Sequence, residues 1–100
     1  MDVTINNENG KTLVSVAGRI DTSTAEAFDS SIAPLMQYDA PDIEIDCSAL
    51  EYTSSVGLRI FLTLQKNVTL HGGKLLLKDM KPQVREVFDI TGFSHIIMID

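Results

Sequence analysis

Three consecutive hydroxyl side chains carry the most reactive chemistry in this sequence. Thr53, Ser54 and Ser55 follow a strand-like stretch and stand just before Gly57, at the start of a helix-like run. A helix N-terminus leaves backbone N–H groups unpaired and carries a partial positive charge, so a hydroxyl there acts first as a cap. One cap needs only one hydroxyl, so two of the three are left for another role. A phosphoryl group on one of these serines would lie near the unpaired amides and the positive end of the helix dipole. The stretch therefore fits a switch between protein partners better than it fits catalysis.

The flanking segments predict a strand and a long helix. Asp42 to Asp46 alternates acid and isoleucine, the period of two that places Ile43 and Ile45 on one face of a strand. From Val56 an apolar run is broken by polar residues at helical spacing, which predicts a helix buried on its remaining faces. The residues expected to point inward are Val56, Ile60, Phe61, Leu64 and Val68. Gly57 removes a side chain where another group can closely approach the first turn.

These residues resemble the sequence pattern of STAS domains, in particular the anti-sigma factor antagonists. Asp46-Cys47-Ser48, followed by the run Ser54-Ser55-Val56-Gly57-Leu58-Arg59, matches the D-x-S strand end and the D/S-S-x-G element of that family. The resemblance implies that Ser55 is phosphorylated by the partner, a serine kinase that is also the anti-sigma factor. Ser54 stands where the best-known members carry Asp.

The stretch from Gly18 to Asp21 also resembles the family, in which a G-x-hydrophobic-D loop precedes the first helix. The resemblance implies that Asp21 lies beside the phosphorylated serine. From the residues alone, a structural role for Asp21, as a turn residue or an extra cap, is as well supported as a role in the docking and phosphorylation surface. Arg59 likewise has two interpretations: it is a solvated surface arginine, or it contacts the partner or a phosphate on Ser55.

The resemblance predicts an anti-sigma factor antagonist that releases a sigma factor when its phosphorylation state allows binding, with a phosphatase restoring the serine. The implied partner-binding residues are Asp21, Thr53, Ser54, Ser55, Gly57 and Arg59. The alternative is a STAS scaffold subunit of a transporter or signalling complex that is not phosphorylated.

The charge and the cysteine content indicate which partners and which compartment to expect. A net charge of −6 and a pI near 4.7 argue against nucleic acid and anionic membranes as partners. Neither a transmembrane span nor a signal peptide is expected. Cys47 is the single cysteine, which excludes an internal disulfide and favours the cytoplasm, and its spacing from Ile45 predicts core packing.

Enzymatic activity is not expected. Ser55 and Gly57 match half of a nucleophile elbow, but that motif needs a glycine at position 53, which is Thr53. The histidines, His71 and His95, lie at or near predicted turns and supply neither a catalytic base nor ligand spacing for a metal. The sequence therefore predicts no catalytic residue, no metal and no cofactor.

The chain order predicts one STAS domain over residues 1–100. Asn7 to Gly10 forms the turn of an opening hairpin whose return strand is Lys11 to Ala17, ending at Gly18. Ser23 and Glu26 match a capping box before the first helix, and Pro34 is expected to kink or end it.

The second half repeats the alternation of strand and helix. Lys74 to Lys78 is a predicted strand, Pro82 begins a helix that Gly92 ends, and Ile96 to Ile99 is a last strand. Strand-helix-strand crossovers imply parallel pairing, so an α/β fold of STAS type is expected, with a mixed sheet of four to five strands and about three helices. The C-terminal helix common in STAS domains is absent or shortened. If that helix covers apolar surface, its absence leaves a patch for a partner or a dimer, and we expect a monomer or a weak dimer.

Overall fold

A mixed sheet of five strands organises the protein, whose computed structural model describes residues 1–100. The strands are β1 (Asp2–Glu8), β2 (Lys11–Ile20), β3 (Asp42–Thr53), β4 (Lys74–Lys78) and β5 (Met98–Ile99). They lie side by side in chain order; β1 and β2 pair antiparallel, and every later pair is parallel. The predicted mixed sheet is confirmed.

Three α-helices cover one face of this sheet. They are α1 (Ala25–Ile32), α2 (Ser55–Leu70) and α3 (Pro82–Ile90), and short 3-10 helices span Ala33–Gln37 and Phe93–His95. Because the parallel strands follow one another in a single direction and such crossovers are right-handed, every crossover helix lies on the same face. We call the opposite face the open face.

The helices meet the sheet through a core of aromatic and branched side chains. Phe28, Phe61 and Phe88 come one from each helix, with ring centroids 5.1 and 5.6 Å apart, and all are fully buried. Ile43 and Ile45 are fully buried beneath them, which confirms the face predicted from their spacing.

Cys47 lies in the same core, as its spacing predicted. Its side chain is fully buried, and this burial raises the pKa of the thiol to about 12. The thiol donates a weak hydrogen bond to the carbonyl of Ile45 on its own strand, at 3.6 Å. Cys47 therefore acts as a small apolar side chain.

The inward face of α2 differs slightly from the prediction. Phe61, Leu64 and Val68 are buried as expected, and so are Gly57 and Leu58. Two residues assigned inward, Val56 and Ile60, are only half-buried. They lie to one side of the stripe that meets the sheet and line a groove toward α1.

Strand β2 continues past Gly18, where the sequence predicted its end. The pairing of β2 with β3 shifts register between Ser15 and Ala17, and again between Gly18 and Arg19. Gly18 adopts a φ of 98°, a conformation that glycine takes without strain. These irregularities let the pairing continue to Ile20.

The predicted capping box before α1 is wrong. The helix begins at Ala25 after Thr24, which makes no side-chain cap bond. Both the hydroxyl and the N–H of Ser23 instead donate to Asp21 Oδ1, at 2.6 and 2.9 Å, so the N–H that Glu26 would accept in a capping box is already used. Pro34 acts as predicted: α1 ends at Ile32 and a 3-10 helix carries the proline in its first turn.

The remaining boundaries are close to those expected. Asn9 and Gly10 have φ values of 50° and 82°, as a tight hairpin turn requires. Gly92, with a φ of 81°, follows the C-cap of α3 as predicted. The last strand is shorter than the predicted span. Ile96 is the C-cap of the preceding 3-10 helix, and its N–H donates to the carbonyl of Phe93, so Ile96 does not join the strand.

Truncating the central ring is expected to be costly. Phe61→Ala should lower the free energy of unfolding by about 3–5 kcal/mol, because Phe61 is fully buried and contacts the aromatic rings of both other helices. Ile60→Ala is the matched control, since its side chain is half-buried and should cost clearly less. Urea unfolding followed by circular dichroism measures both, and equal losses would contradict this description of the core.

Candidate functional site

The hydroxyl cluster lies where β3 ends and α2 begins. Thr53 is the last residue of β3, Ser54 is the N-cap of α2, and Ser55 is the first residue of the helix. The N–H of Ser54 donates to the carbonyl of Ile20 at 2.8 Å, which ties this junction to the end of β2. The carboxyl ends of both strands and the first turn of α2 therefore form one continuous surface.

Each hydroxyl has a different role. Thr53 is buried, and its Oγ1 donates to the carbonyl of Ser54 at 3.2 Å. Ser54 Oγ accepts from the N–H of Gly57 at 3.4 Å, the bond of an N-cap. Ser55 is exposed, and its hydroxyl makes no hydrogen bond within the chain. It is therefore the member of the cluster that is free to react.

Gly57 is required by packing within the chain. A Cβ atom at this position would overlap Thr53 Oγ1 and would lie 2.8 Å from Cγ2 of Ile20. The close approach predicted for the first turn is thus made by the ends of β2 and β3. Thr53 and Gly57 are both buried, so they shape the surface from beneath.

Asp21 lies directly beside the cluster, because its neighbour Ile20 pairs with Thr53. Its Oδ1 accepts from the N–H of Ser23 at 2.9 Å and from the hydroxyl of the same residue, and these bonds lower the pKa of the carboxyl. Its backbone carbonyl accepts from the N–H of Ala25 at 2.8 Å. Asp21 therefore has the turn role considered from the sequence, while Oδ2 accepts no bond and is left for another group.

Two arginines border the site. Arg59 is exposed one turn after Ser55 on α2 and makes no ion pair. Arg19 was not predicted: its guanidinium lies 4.4 Å from the centroid of the Tyr52 ring, a cation–π contact between β2 and β3. The contact depends on the register shift near Gly18, which no periodicity in the sequence reveals.

A shallow groove of about 370 Å³ between α1 and α2 adjoins Ser55. Its apolar part is formed by Val56 and Ile60 of α2, and its acidic rim by Glu26 and Asp29 of α1. The sequence prediction missed this groove because it assigned both apolar residues to the core.

Other kinds of site have little support in the structure. No group of three or more histidine, cysteine, aspartate or glutamate side chains is arranged to hold a metal ion. None of the helices combines the length and apolarity needed to cross a membrane. His71 lies at the C-cap of α2, at the opposite end of the helix from Ser55, where its Nδ1 is 2.8 Å from the carbonyl oxygen of Asn67.

The two serines are expected to differ in their effect on stability. Ser54→Ala should lower the free energy of unfolding by about 0.5–2 kcal/mol, because the N-cap bond to Gly57 is lost. Ser55→Ala should change it by less than about 0.5 kcal/mol, since no bond within the chain is removed. Thermal or urea unfolding of the pair checks the assignment, and a larger loss for Ser55→Ala would reverse it.

A methyl group at position 57 should destabilise the protein although alanine is the better helix former. Gly57→Ala gains about 1 kcal/mol of intrinsic helix propensity, but the added Cβ must displace Thr53 and Ile20. We expect a net loss of about 1–3 kcal/mol, the usual cost of overpacking. Unfolding by urea measures it, and a stabilised variant would show that this junction is loosely packed.

Comparison with known proteins gives a consistent result. The STAS domain family model matches residues 1–100. The anti-sigma-B factor antagonist of Bacillus subtilis is 35% identical over 86 residues, which cover 86% of this chain and 78% of that protein. The crystal structure of an anti-sigma factor antagonist from Mycobacterium paratuberculosis has a TM-score of 0.86 at 28% identity, and the match covers 98% of this chain and 83% of that one.

The same fold occurs in SpoIIAA of Bacillus, an anti-sigma factor antagonist with solved unphosphorylated and phosphorylated forms. Their TM-scores are 0.80 and 0.74, at identities of 19% and 18%; the matches cover 99% of this chain and 88% and 91% of those chains. This likeness concerns the fold alone. By its match to the family model and its identity to the Bacillus subtilis protein, the chain belongs to the STAS domain family and is similar to the anti-sigma factor antagonists within it.

Proposed function

We propose that this protein is an anti-sigma factor antagonist, which binds an anti-sigma factor and thereby releases a sigma factor. The names of its relatives support the class of function. The observation that carries the mechanism is the exposed hydroxyl of Ser55, which has no hydrogen bond within the chain at the first turn of α2. Phosphorylation of this hydroxyl controls binding.

The surface around Ser55 has the composition of a docking site. Asp21, Ser54, Ser55 and Arg59 supply polar contacts around it, and the buried Thr53 and Gly57 set its shape from beneath. The groove formed by Val56 and Ile60 adds an apolar part next to these polar groups. An apolar centre with a polar rim is the usual anatomy of a protein interface.

A phosphoryl group on Ser55 has opposite effects within the chain and at the interface. Within the chain it lies at the positive end of α2, near unpaired backbone amides, so the modified protein stays folded. At the interface it adds roughly −1.5 to −2 charges beside the carboxylates of Asp21, Glu26 and Asp29. Desolvating that concentration of negative charge is costly, so docking is lost.

Arg59 is the cation best placed to respond to the modification. It follows Ser55 by one helical turn, and no carboxylate of the chain pairs with it. In the phosphorylated protein it forms a charge-assisted hydrogen bond to the phosphate, and in the unmodified protein it contacts the anti-sigma factor.

The proposed cycle takes place in the cytoplasm and needs two further activities. The anti-sigma factor is itself the serine kinase, and a phosphatase restores Ser55. The chain is a binding protein without catalytic residues: His71 lies about 24 Å from Ser55 along the 16-residue helix, too far to act as its base. The curated relatives favour this antagonist over a STAS scaffold that is not phosphorylated.

A negative charge at position 55 should imitate the modified state. Ser55→Asp is expected to weaken binding to the cognate anti-sigma factor by at least about tenfold, or about 1.4 kcal/mol, because the carboxylate adds charge to an acidic interface. Ser55→Ala should bind like the wild type and fail to respond to the kinase. Isothermal titration calorimetry measures both affinities.

Thr69→Asp is the matched control, because it adds the same charge at the far end of α2. It should leave the affinity unchanged. The intact mass of the protein from its native cells provides a second test, with one phosphate expected on Ser55 by fragmentation. Wild-type affinity in Ser55→Asp, or an unmodified mass under all growth conditions, would count against the proposed switch.

A further inference from the structure

The open face of the sheet carries its charges in two neighbouring columns. Asp42, Glu44 and Asp46 point to this face of β3, because the alternate residues of the strand are fully buried under the helices. Lys74 and Lys78 of β4 stand directly beside the first and last of these acids in the parallel register. A column of carboxylates thus lies next to a column of ammonium groups.

Three apolar side chains share the middle row of this face with Glu44. Leu13, Glu44, Leu76 and Met98 are register partners from β2 to β5, and they cross the face at one level. Met98 is 69% exposed and Ile96, just before β5, is 54% exposed. The face is therefore amphipathic, with exposed apolar groups at one edge.

Most of the charges in the two columns lack an ion pair within the chain. The chain contains two ion pairs: Lys11 with Glu44 at 3.1 Å, and one within α3. Asp42, Asp46, Lys74 and Lys78 form no ion pair within 4.0 Å, and Asp46 Oδ1 accepts only the N–H of Ser48, at 2.9 Å. Two acids and two lysines in adjacent columns are therefore free to pair with another surface.

We propose that this face binds the open face of a second copy of the chain, about a two-fold axis that runs parallel to the strands between β3 and β4. Such an axis places each β3 over the β4 of the other copy at the same level. Asp42 then faces Lys74 of the second copy, and Asp46 faces its Lys78. The symmetry repeats both contacts, which gives four ion pairs in the dimer.

The same operation brings the apolar groups together. Leu13 of one copy meets Met98 of the other, because β2 exchanges with β5 across the axis. Stacked sheets lie about 10 Å apart with strands within roughly 30° of each other, a gap that a lysine facing an aspartate spans. The exposed Met98 thus gains a partner that the single chain does not provide.

The charge pattern disfavours two other symmetric stackings. An axis along β3 would place Asp42 over Asp42 of the second copy. An axis perpendicular to the strands would place Asp42 over Asp46 and Glu44 over itself. Like charges stacked in this way repel each other, and burial strengthens the repulsion. Of these axes, only the one between β3 and β4 places acids over lysines.

The size of the face predicts a weak complex. Four strands of each copy overlap, because β1 has no strand opposite it, and at their usual spacing over three levels of side chains they present about 400 Å² per copy. The total of about 800 Å² lies below the range of stable specific interfaces and is the size of a weak, transient contact. Ion pairs at such an interface are sensitive to salt. The helical side of the sheet and Ser55 stay accessible in this dimer, so it does not depend on the proposed function.

The oligomeric state of the full chain tests the proposal. Sedimentation velocity in low salt, over a dilution series that extends to about 1 mM, should show a monomer-dimer equilibrium. The double variant Lys74→Glu with Lys78→Glu should remain monomeric, because both of its charged columns then consist of acids. Lys66→Glu with Lys81→Glu makes the same change of charge away from this face and should dimerise like the wild type.

A mixing experiment separates the proposed pairing from a general effect of charge. Asp42→Lys with Asp46→Lys should also be monomeric alone. Mixed in equal amounts with the Lys74→Glu and Lys78→Glu variant, it should form a heterodimer, since each acid at positions 42, 46, 74 and 78 then faces a lysine. A monomeric wild type at all concentrations, dimers that survive either double variant, or a mixture that stays monomeric would overturn the proposal.

Discussion

The packing of Gly57 against Thr53 and Ile20 is the contact on which the functional surface depends. It brings the carboxyl ends of β2 and β3 against the first turn of α2, because no side chain at position 57 separates the helix from Thr53 and Ile20. The N–H of Ser54 then donates to the carbonyl of Ile20, and the position of each of the three hydroxyls in this junction fixes its role. One hydroxyl is buried, one caps the helix, and the hydroxyl of Ser55 is left over. Ser55 is thus available because the start of α2 has three hydroxyls and only two of them are used in hydrogen bonds within the chain.

The direction of the crossovers explains the division of the molecule into two surfaces. Because β2 to β5 advance in one direction, all three helices lie on one side of the sheet. The rim of that side carries the proposed docking surface, and the open face carries the columns of Asp42 and Lys74. The core of Phe28, Phe61 and Phe88 belongs to the helical side. The proposed binding of an anti-sigma factor and the proposed contact between two copies therefore involve different surfaces and different chemistry.

Local patterns in the sequence predicted most of this fold. The alternation around Ile43 and Ile45 identified the buried strand face, and the spacing of Phe61, Leu64 and Val68 identified the buried stripe of α2. Such patterns predict the buried face because apolar side chains recur with the period of the strand or helix that buries them. The surplus of hydroxyls at the start of α2 was also visible in the sequence, since a single cap needs a single acceptor, and the structure adds that Ser55 is the exposed member.

What the sequence did not reveal depends on pairing between distant segments. The continuation of β2 to Ile20 and the contact of Arg19 with Tyr52 follow from shifts of register, which leave no period in either strand. The groove at Ile60 was missed because an apolar residue at a helix edge looks the same in sequence as one in its core.

The buried Cys47 has a consequence for what the protein can sense. With a pKa of about 12, roughly one thiol in a hundred thousand is ionised at neutral pH, and the sulfur has no path to solvent. Oxidants that act on cysteine react with exposed thiolates, so they find no reactive thiol on this chain. Regulation through sulfur chemistry at a cysteine is thus closed to this protein, and the proposed switch at Ser55 relies on oxygen chemistry instead.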